Sequence, residues 1–235
     1  MYDIGELICV ASVEEAISAL AAHPDSRMIC GGTDLLVSLR AGKHAGSTLV
    51  SIHDLAELRG VRLDAAGSLH IGPGTCFCEL TQNELIGRYV PVLGRAVDLV
   101  GGPQIRRMGT IGGNICNGAV SADSLPSLLA LNAQLTLRSS KGTRRLPLSS
   151  FHLGPGRVDL RPTELLTDIM IRRADYEGFG GCYIKYAMRE AMDIATISVA
   201  AVVNWPRDPL YRRRSVPPPD RQSRYPQRQI GRAHV

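Results

Sequence analysis

The spacing of apolar and polar residues predicts alternating strands and helices in the first quarter of the chain. Ser12 and Glu15 frame a capping box, and apolar residues recur at helical spacing behind it, so a helix is expected over residues 12–22. Shorter apolar runs predict a strand at 26–30, a short helix at 35–39 and a strand at 47–52. This β-α-β order predicts a small α/β lobe over residues 1–58.

Beyond residue 58 the pattern changes to short strands, polar turns and amphipathic helices. Helical spacing occurs at 79–85, 90–100 and 124–131. Strand-like runs occur at 61–63, 69–71, 134–137, 144–148, 164–171, 182–188 and 194–203. The runs at 61–63 and 69–71, and those at 134–137 and 144–148, flank short turns and predict two hairpins. The mixture predicts an α+β fold, with a larger lobe over residues 59–178 and a further segment over 179–203.

Charge is concentrated at the carboxyl end. The net charge is +5, but residues 205–235 hold eight arginines and two aspartates, which leaves 19 basic and 20 acidic residues in the rest of the chain. A basic tail on a nearly neutral body does not indicate a nucleic-acid-binding domain. The longest apolar stretch, 194–203, is too short to span a bilayer, and the amino terminus lacks the basic region of a signal peptide. We therefore expect a cytoplasmic protein with no nucleic-acid or membrane partner.

The six cysteines give no indication of a metal site. They lie at positions 9, 30, 76, 78, 116 and 182 and form neither a CxxC motif nor a zinc or ferredoxin spacing. We expect them to be buried free thiols in a reducing compartment. Cys76 and Cys78 fit one face of a strand.

A first glycine pair, Gly31 and Gly32, follows an apolar run. Thr33 or Asp34 is placed to cap the next helix, whose free N–H groups, beside the glycines, would form an anion site suited to a diphosphate. The segment matches neither GxGxxG nor GxxxxGK[ST], so neither a Rossmann nor a P-loop site is indicated.

A second glycine pair, Gly112 and Gly113, lies in MGTIGGNICNGAVSADSLP. Both glycines can adopt positive φ and let the main chain approach a ligand closely, so successive N–H groups can face a phosphate. The alternative is that Gly-Gly-Asn is only a tight connection between elements.

Three motifs occur in order: CGGTDLL, GGPQIRRMGTIGGNICNGAVSAD and KYAMREAMDIATIS. With them, residues 2–203 resemble the FAD-binding medium subunits of molybdenum hydroxylases, in particular the bacterial xanthine dehydrogenase branch. The resemblance implies a two-lobed FAD-binding fold of the vanillyl-alcohol oxidase and CO dehydrogenase flavoprotein type. Residues 179–203 would begin a truncated C-terminal domain. Residues 204–235 are expected to be a disordered tail that arises from a reading-frame error, with a natural basic arm as the alternative.

The resemblance also implies a function. Xanthine would be oxidised on a molybdopterin-binding large subunit, and electrons would pass through 2Fe-2S clusters of a small subunit to FAD on this chain. The chain would then pass a hydride to NAD and contribute no catalytic side chain and no metal ligand. Alternatives are the FAD subunit of a related aldehyde or carbon monoxide oxidoreductase, and a non-functional truncated fragment.

Site residues carried over from the resemblance fall on these motifs. The cofactor-binding residues implied are Met28, Ile29, Cys30, Gly31, Gly32, Thr33, Asp34, Leu35, Val100, Thr110, Ile111, Gly112, Gly113, Asn114, Asn117, Asp123, Leu166 and Lys185. Asp123 would lie beside the isoalloxazine ring, although its position also fits a helix N-cap. Lys185 would be a buried cation near the ring, the alternative being an edge-strand lysine that faces water. Leu166 would pack on the cofactor.

Overall fold

The computed structural model describes residues 2–204, so the predicted disordered tail lies outside the described residues except for Asn204. The strands are β1 (Ile4–Cys9), β2 (Arg27–Ile29), β3 (Ser47–Ser51), β4 (Val61–Leu63), β5 (Leu69–Ile71), β6 (Gln134–Ser139), β7 (Gly142–Pro147), β8 (His152–Gly154), β9 (Arg157–Val158), β10 (Leu165–Ile171), β11 (Phe179–Tyr186) and β12 (Ile197–Asn204). The helices are α1 (Val13–Ala22), α2 (Leu35–Arg40), α3 (Phe77–Gln82), α4 (Glu84–Tyr89), α5 (Pro91–Asp98), α6 (Pro103–Met108), α7 (Ile111–Cys116), α8 (Ser124–Ala130) and α9 (Leu148–Phe151).

A small parallel sheet with the strand order β1-β3-β2 forms the amino-terminal part, and α1 packs on it. The Ser12 hydroxyl accepts a hydrogen bond from the Glu15 N–H at 3.1 Å, which confirms the predicted cap. The residues of α1 that face the core are Val13, Ala16, Ile17 and Leu20. The predicted helix and its apolar face are therefore confirmed, whereas β1 was not predicted.

A larger antiparallel sheet has the order β4-β5-β10-β6-β7 within residues 61–171. Both predicted hairpins, β4-β5 and β6-β7, are present. Helices α3, α4, α5, α7 and α8 contribute to the main hydrophobic core together with β5, β6 and β10. Leu165 of β10 instead joins the core of the small sheet, so the two cores meet at this strand. The α+β fold is confirmed, while the lobe boundaries at residues 58 and 178 stay predictions.

Strands β11 and β12 pair as an antiparallel hairpin whose inner face packs on α5 and α8. Tyr183 is buried in the main core, but Ile184 and Tyr186 on the same strand are more than 60% exposed. Asn204 pairs with Phe179, so the prediction that the tail begins at residue 204 is wrong for this residue.

Two helix predictions differ from the structure. Residues 79–85 do not form one helix, because Asn83 ends α3 and its side chain caps α4, accepting from Leu85 N–H at 3.0 Å. The segment 103–108 is a helix that begins at Pro103 and was not predicted. No helix in the described part of the chain has the length and apolar character needed to cross a bilayer.

Candidate cofactor-binding site

A cleft of about 850 Å³ runs between the small parallel sheet and the helices of the larger part. Its volume falls within the ~300–1,000 Å³ that is usual for ligand sites. All of the predicted cofactor-binding residues line it except Ile111 and Lys185. The Ile111 side chain is fully buried in the main core and does not reach the cleft, so its part in binding the cofactor stays a prediction. Lys185 lies behind another predicted residue, Asp123.

The two glycine motifs, 80 to 82 positions apart in sequence, touch each other in the cleft wall. A Cβ atom added at Gly31 would overlap the carbonyl oxygen of Met108 and lie 2.6 Å from its carbonyl carbon. A Cβ atom at Gly112 would lie 2.5 Å from Cβ and 2.7 Å from the carbonyl oxygen of Pro73. Only glycine allows these backbone segments to approach so closely.

The first motif leaves main-chain donors free. Among the described residues, none accepts a hydrogen bond from the N–H groups of Gly32, Thr33 or Asp34. Gly32 has a φ of 69°, and its carbonyl oxygen accepts from the Leu36 N–H at 2.9 Å to begin α2. Asp34 occupies the N-cap position but makes no side-chain cap bond, so the predicted capping role is wrong.

The second motif is a helix, not an open turn. Thr110 is the N-cap of α7, and its Oγ1 accepts from the Gly113 N–H at 3.2 Å. The N–H groups of Ile111 and Gly112 donate to the carbonyl oxygens of Thr75 and Pro73 at 3.1 and 2.8 Å. The prediction that this segment supplies free main-chain donors is therefore wrong, and neither Gly112 nor Gly113 has a positive φ. The segment therefore contributes the backbone of its two glycines and the polar side chains of Thr110 and Asn114 to the lining of the cleft.

Asn114 of α7 is oriented by a buried serine. The Ser124 hydroxyl, which is fully buried, donates to the Asn114 Oδ1 at 2.6 Å. This bond uses the acceptor end of the amide and leaves the Nδ2 donors for a ligand in the cleft. Ser124 was not among the predicted site residues, because a contact between residues ten positions apart has no local sequence pattern.

Asp123 and Lys185 form a buried ion pair at the cleft wall. The Lys185 Nζ lies 2.9 Å from the Asp123 Oδ2, and the two side chains are 9% and 7% exposed. The Tyr183 hydroxyl donates to the Asp123 Oδ1 at 2.7 Å, and burial followed by this contact raises the pKa of Tyr183. Asp123 precedes α8 without making a side-chain cap bond, so the N-cap alternative is wrong. The alternative of a water-facing Lys185 is wrong as well.

The cysteines near the cleft are protonated thiols at neutral pH. Burial raises the pKa of Cys116 to about 12 and also raises the pKa of Cys30. All six cysteines are free, as predicted, but Cys9 and Cys182 are exposed, which corrects the expectation of burial. No cluster of three His, Cys, Asp or Glu side chains suited to a metal ion occurs within residues 2–204.

Two arginines that the sequence reasoning missed also line the cleft, Arg27 and Arg161. They lie outside both glycine motifs, so no motif marked them. A diphosphate needs several donors, and the cleft offers free N–H groups, the Asn114 amide and these two arginines. An apolar wall for a ring is formed by Leu166 and Val100. The residues present therefore fit a dinucleotide such as FAD.

Comparison with known proteins agrees with this fit. Residues 3–173 match the family model of the FAD binding domain in molybdopterin dehydrogenase. The chain is 42% identical over 201 residues to the xanthine dehydrogenase FAD-binding subunit of Escherichia coli O157:H7, with 86% of this chain and 69% of that subunit covered. It is 32% identical to the nicotinate dehydrogenase FAD-subunit of Eubacterium barkeri, over 82% of this chain and 66% of that protein.

Solved structures show the same fold. A carbon monoxide dehydrogenase from Hydrogenophaga pseudoflava superposes with a TM-score of 0.81 at 28% identity, with 86% of this chain and 70% of that chain covered. The family match covers most of the chain and includes both glycine motifs. The chain therefore belongs to the family of FAD-binding domains of molybdopterin dehydrogenases.

Proposed function

We propose that this chain is the FAD-carrying medium subunit of a xanthine dehydrogenase-like molybdenum hydroxylase and that it holds FAD in the cleft between its glycine motifs. The observation that carries the proposal is the contact of Gly31 with Met108, which joins both motifs into one wall. Sixteen of the eighteen predicted residues line the same cleft, so the assignment does not depend on a single motif.

The proposed roles follow from the donors that are free. The N–H groups of Gly32, Thr33 and Asp34 would bind the diphosphate, because no described residue accepts from them. The Asn114 amide, held by Ser124, would donate to the cofactor.

Other residues of the cleft would contact the flavin end of the cofactor. Thr110 and Asn117 would contact the ribityl chain, and Val100 and Leu166 would exclude water from the ring. When bound, FAD supplies two-electron redox chemistry, and the chain's residues only bind and orient it.

The partners and substrate are proposed from similarity. The identity of 42% to a xanthine dehydrogenase FAD-binding subunit favours a purine-oxidising complex. Such a complex would contain a molybdopterin-binding large subunit and a 2Fe-2S small subunit, with NAD as the electron acceptor in the cytoplasm.

A second candidate is the FAD subunit of a carbon monoxide or aldehyde oxidoreductase. The superposition on a carbon monoxide dehydrogenase at a TM-score of 0.81 supports it. The cleft would be used in the same way by both candidates, because it would hold the cofactor and not the oxidised substrate.

The test is reconstitution in two steps. The full chain is first purified, and its flavin absorbance is measured against its protein concentration; one FAD per chain is expected. The chain is then expressed with candidate molybdenum and iron–sulfur subunits, and NADH formation is followed with xanthine, an aldehyde or carbon monoxide as the substrate. A chain that folds but binds no FAD would refute the proposal. Activity with an aldehyde or carbon monoxide alone would favour the second candidate.

A further inference from the structure

A buried hydrogen-bond network connects the hairpin β11-β12 to the wall of the cleft. Asp123 is 6% exposed and Tyr183 is 3% exposed. Each oxygen of the Asp123 carboxylate has its own donor, the Tyr183 hydroxyl at 2.7 Å on Oδ1 and the Lys185 ammonium at 2.9 Å on Oδ2. The ammonium group also donates to the carbonyl oxygen of Leu99 at 2.9 Å.

Only one member of the network faces the cleft. Asp123 lines it, whereas Tyr183 and Lys185 do not. A buried ammonium group that is paired with a carboxylate has little net charge at a distance, because the two fields largely cancel. The group next to a bound cofactor is therefore a neutralised pair and not the free cation expected from the sequence.

We propose that Tyr183 is a positioning residue whose hydroxyl holds the Asp123 carboxylate in the orientation that neutralises Lys185. The inference rests on the proposed function, because its consequence concerns FAD in the adjoining cleft. Without the hydroxyl, Oδ1 has no protein donor among the described residues, so Lys185 alone holds the carboxylate and its orientation is less restricted. The ammonium charge is then less fully compensated. It stabilises the additional negative charge of reduced flavin and raises the midpoint potential.

The test measures the midpoint potential of FAD bound to the full chain. Tyr183→Phe keeps the buried ring and removes only the hydroxyl, and an upward shift is expected. Asp123→Asn gives a larger upward shift, since it removes the negative charge itself. Lys185→Met gives a downward shift. In the Asp123→Asn background Tyr183→Phe adds nothing, because the carboxylate through which Tyr183 acts is absent.

Tyr186→Phe is the matched control, because Tyr186 lies on the same strand and is 63% exposed; no shift is expected. Thermal unfolding of the FAD-free variants separates a role of Tyr183 in stability from its role in setting the midpoint potential. A lower stability with an unchanged potential in Tyr183→Phe would make Tyr183 purely structural and overturn the proposal.

FAD affinity, measured by flavin fluorescence, gives a second readout for variants that retain FAD poorly. Tyr183→Phe is expected to weaken binding roughly tenfold in the native background and not at all in the Asp123→Asn background. Equal losses in both backgrounds would overturn the proposal. A native chain that binds no FAD would refute the proposed function itself, whereas bound FAD with potentials unmoved by all three variants would refute this inference alone.

Discussion

Gly31→Ala tests the close contact that joins the two glycine motifs. The added methyl group would overlap the Met108 carbonyl oxygen and lie 2.6 Å from the carbonyl carbon and 3.1 Å from the Gly109 Cα. These are backbone atoms, so no side chain can rotate away to make room. To reach an ordinary contact of 3.4 Å from the carbonyl carbon, the two segments must separate by at least about 0.8 Å, and clearing the carbonyl oxygen requires a larger movement.

The loss of stability follows from this displacement. Overpacking of this kind destabilises a protein by about 1–3 kcal/mol. For a chain of this size that lowers the midpoint of thermal unfolding by roughly 2–12 °C. Because the shifted segments line the cleft, FAD affinity is expected to fall more than the stability of the FAD-free protein alone would require, by at least about tenfold.

Thermal unfolding of the FAD-free protein and fluorescence titration with FAD measure the two effects separately. Gly87→Ala is the control, because Gly87 lies within α4 and a Cβ there meets nothing within 4 Å. That variant should be stabilised by about 0.5–1 kcal/mol with unchanged FAD affinity. If Gly31→Ala binds FAD as tightly as the native chain and unfolds at the same temperature, the contact between the motifs is not what shapes the cleft.

Three further changes test other parts of the site and the fold. Gly113 lines the cleft, and the Cβ atom of Gly113→Val would meet only the Thr110 Oγ1, at 3.1 Å. FAD retention should therefore be lost while the FAD-free protein unfolds near the native temperature, and a yellow variant with full stoichiometry would contradict this. Ser124→Ala frees the Asn114 amide and should weaken FAD binding about fivefold, a loss of ~1 kcal/mol, in the same titration. Burial acts to raise the pKa of Glu164, but its hydrogen bonds, chiefly from Arg144, outweigh burial and hold the pKa below its usual 4.5. The native chain should therefore lose stability as pH falls below 4.5. Glu164→Gln should be roughly 3 kcal/mol less stable at pH 7, and its free energy of unfolding, measured with denaturant, should fall less steeply at acid pH. Identical pH profiles of the two proteins would refute the role of this carboxylate.

Local patterns in the sequence were sufficient to predict much of the fold. The Ser12 cap and the apolar face of α1 depend on residues within one helix, and both hairpins depend on neighbouring strands. Such short-range patterns can be read from a single sequence. Strand β1 was missed because most of its residues are exposed at the edge of the small sheet and show no buried run.

The position of the second glycine pair in the cleft was predicted correctly, but its helical conformation was not. Glycine has a low helix propensity, so Gly112 and Gly113 suggested a turn. The structure overrides this preference, because the Thr110 cap and the contact of Gly112 with Pro73 hold the segment as helix α7. The free donors consequently lie at Gly32–Asp34 and not at the second motif.

The environment of Asp123 could not be predicted from its neighbours. Its partners Tyr183 and Lys185 lie 60 and 62 positions away and are brought to it by the packing of β11. The resemblance placed both Asp123 and Lys185 near the cofactor, but only the structure gives the ion pair and the role of Tyr183. Long-range contacts of this type need a fold before they can be assigned.

The most direct test is a crystal structure of the full chain grown with FAD. We expect the diphosphate to lie against the N–H groups of Gly32, Thr33 and Asp34, opposite Gly113, with Asp123 beside the flavin end. A cofactor bound elsewhere, or a cleft between Gly31 and Gly112 that stays empty at saturating FAD, would contradict it.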